Sequence, residues 1–242
     1  PWIMKMVEAS DCQIHRWHED GSTDPALLKE ADGFFVYGHP LIDGTVMDTM
    51  PNLRAISNQG VGIDHIDLKA AKARGIPVGN TPGFVDGATA DMTFALLMAA
   101  ARHVVRGDHF ARGPNFTHFD PNILHGQEVF GATLGIIGMG GVGQQVARRA
   151  TGFDMKVLYH NRTEIPEIAA KLGASYASLH DLLSQSDFVT LNVPMTPETS
   201  HLIRRNELAL MKPTAILVNA ARGGVLDHDA LLEALRDKTI WA

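Results

Sequence analysis

Cysteine is all but absent, with Cys12 the single one in 242 residues. One thiol cannot close an internal disulfide, so a disulfide-stapled fold is excluded; a reducing compartment fits, and a cytoplasmic location is the expectation. Long apolar runs are also missing. The longest, residues 94–101, falls far short of the roughly 20 apolar residues a membrane-spanning helix needs, and no membrane partner is expected. There is no basic excess: 21 Lys and Arg stand against 27 Asp and Glu, a net charge of −6. The electrostatic footprint of a nucleic-acid binder is therefore lacking. No G-x-S-x-G elbow, no Walker A loop and no C-x-x-C pair occurs, which removes the chemistries those motifs carry. Histidine is plentiful, yet His15 and His18 have no further ligands near them and read as strand and turn residues, with no metal site expected.

What is present is alternation. Short apolar runs at 12–17, 34–37, 55–57 and 77–79 are candidate strands in the first third. Runs at 133–137, 156–159, 188–192 and 215–218 are candidates in the last half. Between them lie segments of helical spacing, such as Val142, Val146, Ala150, Phe153 and Leu226, Leu231, Leu232, Leu235. Strand–helix alternation predicts parallel sheets covered by helices, an α/β fold. Residues 87–112, dense in Ala, Leu and Met, predict one long helix, apolar around most of its circumference and buried between domains or at a subunit contact. Residues 113–130 predict a loop. The expected boundary lies near Thr81-Pro82-Gly83, giving a first domain over 1–82 and a second over 83–242.

The sharpest motif is GMGGVG at 138–143, directly after a strand candidate and directly before a helical pattern. That context makes G-x-G-x-x-G a dinucleotide fingerprint. Gly138 permits the tight turn, Gly140 lets backbone approach a pyrophosphate, and Gly143 lets helix and strand pack closely. The helix N-terminus then offers N–H groups to the anion. About 20 residues on, an acidic side chain normally holds the adenine ribose of NAD. Here the sequence reads His160-Asn161-Arg162-Thr163. Asn161 removes the charge, Arg162 adds a donor fork suited to phosphate, and Thr163 adds a hydroxyl. NADP is the expected cofactor, with NAD the alternative.

Two further stretches follow strand candidates. Arg222, in NAARGG after 215–218, sits where open α/β sheets bind ligands and could hold a carboxylate bidentately. In the first third, NQGVGIDHID at 58–67 carries Gly60 and Gly62, whose bare backbone suits an anion.

Together GMGGVG, NVPMTPET at 192–199, NAARGGVLD at 219–227, NQGVGIDHID and NTPGFVDGATAD at 80–91 resemble the D-isomer-specific 2-hydroxyacid dehydrogenases. The resemblance covers nearly the whole chain in order. Within that family HNRT resembles the glyoxylate/hydroxypyruvate reductase branch, which tends to use NADPH. It implies a Rossmann-like dinucleotide-binding domain, here with the long helix, and a partial flavodoxin-like substrate domain, with the active site in the cleft between them. It implies that Val61 and Gly62 bind the substrate carboxylate through backbone N–H groups and that Arg222 is the catalytic arginine. Gly141, Val142, Asn161, Arg162, Thr163, Val193, Pro194, Thr199, Ala220 and Ala221 would line the cofactor. The partners implied are a small 2-keto or 2-hydroxy acid and a second copy of the chain, docked through the long helix.

The family's general acid is a histidine held by a glutamate, both downstream of the arginine. This sequence reaches Ile240-Trp241-Ala242 before either. A strand ahead of a helix beginning at residue 1, the last cofactor-domain strands and the helix that returns to the substrate domain are also expected of the family. The expectation is a piece of a longer enzyme, with a natural truncation that binds cofactor but does no chemistry as the alternative. His65, beside the glycine turn, is expected to support it from behind, and His118 and His125 to lie near the cleft; none is expected to be the acid. Two rival readings stay open: a nicotinamide-sensing binding protein like the transcriptional corepressors that share this fold, and an NAD-dependent dehydrogenase of another hydroxy acid, such as phosphoglycerate.

Overall fold

The computed structural model describes residues 5–6, 8–118, 120 and 122–242. The chain divides into two compact units, Pro1–Pro82 and Gly83–Ala242.

In the first unit, helix α1 (Pro25–Glu30), strand β1 (Gly33–Tyr37), helix α2 (Gly44–Asp48), strand β2 (Ala55–Gln59), helix α3 (Leu68–Ala73) and strand β3 (Val78–Gly79) follow in order. Each helix starts on an aspartate, Asp24, Asp43 or Asp67, whose carboxylate accepts a first-turn N–H, satisfying a donor the helix itself cannot. The strands form a parallel sheet in the order β1-β2-β3. Phe34, Val36 and Ile56 point inward onto Ile42, Met47, Met50, Leu53, Ile66 and Ile76, as period-two alternation requires.

Residues 12–17 are not a strand. Their alternation allows pairing but supplies no partner, and the ladder of β1 runs to β2. Ile14 is left exposed, and Trp17 packs edge-on against Phe34, with ring centroids 5.5 Å apart. The helix expected from residue 1 has its first four residues outside the described ones; residues 5, 6 and 8 are helical.

The second unit opens with helices α4 (Asp86–Ala101) and α5 (Val104–Arg112), where the sequence predicts a single helix. His103 adopts a left-handed conformation, φ 53°, and its ring bonds the carbonyl of His125 at 3.0 Å. The N–H of Gln127 takes the Ala101 carbonyl at 2.9 Å, an acceptor that a continuous helix would use itself. Gly126 is needed for this approach, since a side chain there would collide with Ala101. Nor is α4 buried all round. Ala90, Thr93, Phe94, Leu97 and Ala101 form one buried face, while Met92 and Leu96 are exposed.

Strands β4 (Thr133–Ile137), β5 (Lys156–His160), β6 (Ala174–Tyr176), β7 (Phe188–Leu191) and β8 (Ile216–Asn219) form a five-stranded sheet in the order β6-β5-β4-β7-β8. All pairs are parallel. Helices α6 (Gly141–Ala150), α7 (Pro166–Lys171), α8 (Leu179–Gln185), α9 (Arg205–Leu210) and α10 (His228–Arg236) connect or flank them. One core holds Ala90, Leu97, Ile136, Val146 and Tyr159, another Ile137, Leu182, Val189, Leu208 and Ala234. This is the Rossmann-like arrangement: order reverses between β4 and β7, and ligands bind outside the carboxyl ends at that point. On α10 the buried positions are Ala230 and Ala234, with Leu231 half-buried and Leu232 and Leu235 exposed. The leucines of the predicted helical spacing thus do not share one buried face, and Leu226, which precedes the helix, is buried. No described helix is long and apolar enough to cross a membrane.

Candidate functional site

The glycine turn leaves β4 at the reversal point. Gly138 has φ +97°, and a Cβ there would come within 2.8 Å of the Asn192 backbone and the Val193 side chain, which follow β7. A Cβ on Gly143 would run into the Gly138 carbonyl, so both positions demand glycine. Gly140 differs: nothing lies within 4 Å of where its Cβ would be. It caps α6, whose N-terminus receives no side-chain cap. Open space beside uncapped N–H groups fits a pyrophosphate. Gly141 lies against the carboxylate of Asp86, the first residue of α4, and Val142 is half-buried behind it.

Asn161, just after β5, accepts a hydrogen bond from the Met139 N–H at 2.8 Å. It therefore ties down the glycine turn. Arg162 and Thr163 beside it are exposed. After β7, the loop carrying Val193 and Pro194 closes on itself, Thr199 Oγ1 donating to the Pro194 carbonyl at 2.6 Å and accepting from the Thr196 N–H at 2.8 Å. Glu198 on this loop is held below its usual carboxylate range by the Thr196 hydroxyl, then by its own backbone N–H, and more weakly by the Arg162 charge. After β8, Asn219 shapes the next loop: its Oδ1 accepts from the Ala221 N–H at 3.0 Å and its Nδ2 donates to the Arg222 carbonyl at 2.9 Å. Ala220, Ala221 and Arg222 are half-buried there. A Cβ on Gly224 would come within 2.9 Å of the Met195 side chain, so this loop packs on the previous one. The loops after β4, β5, β7 and β8 are thus brought together at one end of the sheet.

In the first unit, residues 60–62 follow β2. Gly60 has φ +140°, a value L side chains rarely adopt. Asn58, 2% exposed, donates through Nδ2 to the carbonyls of Gly60 at 3.2 Å and Gly62 at 3.0 Å. Its Oδ1 lies 3.1 Å from Nε2 of buried His65, so that nitrogen carries the proton, assigned from the network. Asn80 donates to the Val61 carbonyl at 2.9 Å. The N–H groups of Val61 and Gly62 meet no acceptor among the described residues. Asn58, Asn80 and Asn219 carry no role on sequence reading. Their one signal is position, each at or just past a strand end before a glycine-bearing loop. His118 bonds its neighbour Thr117. Among the described residues no three His, Cys, Asp or Glu side chains group as metal ligands.

Residues 94–242 match the family model described as D-isomer specific 2-hydroxyacid dehydrogenase, NAD binding domain. The chain is 44% identical over 242 residues to a glyoxylate reductase of Pyrococcus horikoshii, covering 97% of this chain and 72% of that relative. Among solved structures it is similar to the TT0316 protein of Thermus thermophilus, with 45% identity, TM-score 0.81, and coverage of 88% of this chain and 67% of that one. It is also similar to an acyclic imino acid reductase, Bsp5, in complex with NADPH and D-Arg: 28% identity, TM-score 0.85, covering 100% of this chain and 77% of that one. With its glycine turn at the reversal of a parallel sheet and these relatives, the chain belongs to the D-isomer-specific 2-hydroxyacid dehydrogenase family.

Proposed function

We propose that the protein reduces glyoxylate, or a closely related 2-keto acid such as hydroxypyruvate, with NADPH preferred over NADH. The observation that carries the reading is the glycine turn with Arg162 and Thr163 at the end of β5, where an acid would otherwise stand. The relatives that are glyoxylate reductases point to the same substrate class.

The nicotinamide cofactor supplies the hydride when bound. The chain's own residues bind, orient and stabilise developing charge. Gly138, Gly140, Gly141, Val142 and Gly143 hold the pyrophosphate at the N-terminus of α6. Asn161, Arg162 and Thr163 receive the ribose and its 2′-phosphate, where the guanidinium offers a matching fork. Val193, Pro194, Thr199, Ala220 and Ala221 line the remainder. Val61 and Gly62 bind the substrate carboxylate through backbone N–H groups. Arg222 holds the carboxylate and stabilises charge developing on the keto oxygen. On this reading residues 1–82 form the substrate domain and residues 83–242 the nucleotide domain. Exposed apolar side chains on α4 and α5, among them Met92, Leu96, Val104 and Val105, favour a homodimer.

The test is nucleotide binding. Arg162→Asp is expected to weaken NADPH by roughly ten- to a hundredfold while NADH changes little, read by fluorescence titration. An unchanged NADPH affinity overturns the cofactor assignment. Initial rates with glyoxylate and hydroxypyruvate, measured on a longer gene product that includes the family's general-acid histidine, then separate an enzyme from a sensor, which would bind nucleotide and associate with another protein without turnover.

A further inference from the structure

A trans peptide unit points its carbonyl and the following N–H in opposite directions. Whatever anchors a carbonyl therefore aims the next N–H. After β2, consecutive carbonyls are each anchored on the protein side. Gly60 O receives Asn58 Nδ2 at 3.2 Å and the Thr81 N–H at 3.1 Å. Val61 O receives Asn80 Nδ2 at 2.9 Å, and Gly62 O receives Asn58 Nδ2 at 3.0 Å. The anchored Gly60 carbonyl turns the Val61 N–H outward, and the anchored Val61 carbonyl turns the Gly62 N–H outward. Those two N–H groups meet no acceptor among the described residues.

We propose that Asn58 and Asn80 are the positioning residues that make this turn a donor-only receptor that favours a carboxylate over its uncharged ester, with His65 fixing the Asn58 amide. The proposal rests on the reading that this turn takes the substrate carboxylate. Asn58 uses both amide hydrogens on two carbonyls and offers its oxygen to His65 Nε2 at 3.1 Å. Flipping the amide would set oxygen against two oxygens. With the carbonyls held back, a bound group faces donors alone, which suits an anion. Asn80 acts on one peptide unit, so its effect falls on the Gly62 N–H. Asn58 acts on both sides of the turn.

The experiment uses ¹⁵N-labelled protein titrated with oxamate, a carboxylate isostere of a small keto acid, and with its uncharged methyl ester. In the unaltered protein oxamate is expected to move the Val61 and Gly62 amide signals and to bind more tightly than the ester. Failure of oxamate to move either signal overturns the carboxylate reading itself. Asn80→Ala removes an exposed side chain and is expected to abolish the Gly62 response while the Val61 response remains. Asn58→Asp is expected to cost roughly tenfold in oxamate affinity and to erase its advantage over the ester. Should Asn58→Asp fail to fold, His65→Leu against His65→Gln tests the same amide, with glutamine expected to restore the oxamate preference. A normal oxamate response in the unaltered protein that survives in full in Asn80→Ala, with preference intact in the Asn58 or His65 variants, overturns the positioning role while leaving the carboxylate reading standing.

Discussion

Arg222 rides on a loop whose shape is set by its neighbour. Asn219 grips the Ala221 N–H and the Arg222 carbonyl from below, so the backbone under the guanidinium is fixed before any ligand arrives. Preorganised donors act most strongly where charge develops during reaction. Arg222→Ala is expected to lower turnover of glyoxylate by about a hundredfold or more, with NADPH affinity unchanged. Steady-state rates alongside nucleotide titration check this, and equal loss of both would remove Arg222 from its assigned role. Lysine should not restore the rate, because a point charge lacks the planar fork. Asn161 is instructive in another way. The sequence shows it as a missing acid; the fold adds its grip on the Met139 N–H.

At the scale of elements, the joint between β4 and α6 is the least tolerant. A side chain at Gly143 collides with the Gly138 carbonyl and crowds Ile136. Gly143→Ala is expected to cost about 1–3 kcal/mol, lowering the thermal midpoint by several degrees and weakening both nucleotides alike. Calorimetry and titration of one variant read both effects, and a midpoint unchanged from the parent would contradict the close packing. This joint was legible in advance, because its apolar run, glycines and helical pattern are contiguous in the sequence. Strands β4, β5, β7 and β8 were legible to within one residue at their ends for the same reason. Strand β6 was not: Ala174–Tyr176 is three residues long and lies at the sheet edge, too short and polar to stand out. Residues 12–17 misled because alternation states a capacity to pair, not the presence of a partner. The break between α4 and α5 was hidden because the Gln127 N–H that takes the Ala101 carbonyl comes from within the loop after α5. The asparagines behind the turns after β2 and β8 were hidden likewise, since their hydrogen bonds exist only once the chain has folded.

For the molecule as a whole, the two units have unequal means. Residues 1–82 carry a three-stranded sheet over one modest core, while residues 83–242 carry a five-stranded sheet with cores on both faces. Unfolding is expected in two calorimetric transitions, the first unit melting earlier. NADPH at a hundred times its Kd should add about 2.7 kcal/mol to the second transition and leave the first in place. A shift of both by equal amounts would contradict this. The buried residues of the first core all lie before Pro82, and those of the other two all lie after it. In genetic terms a single crossover near codon 82 leaves each of these three cores undivided, so lineages could exchange residues 1–82 between genes without splitting the interior of the half that matches the NAD-binding family model.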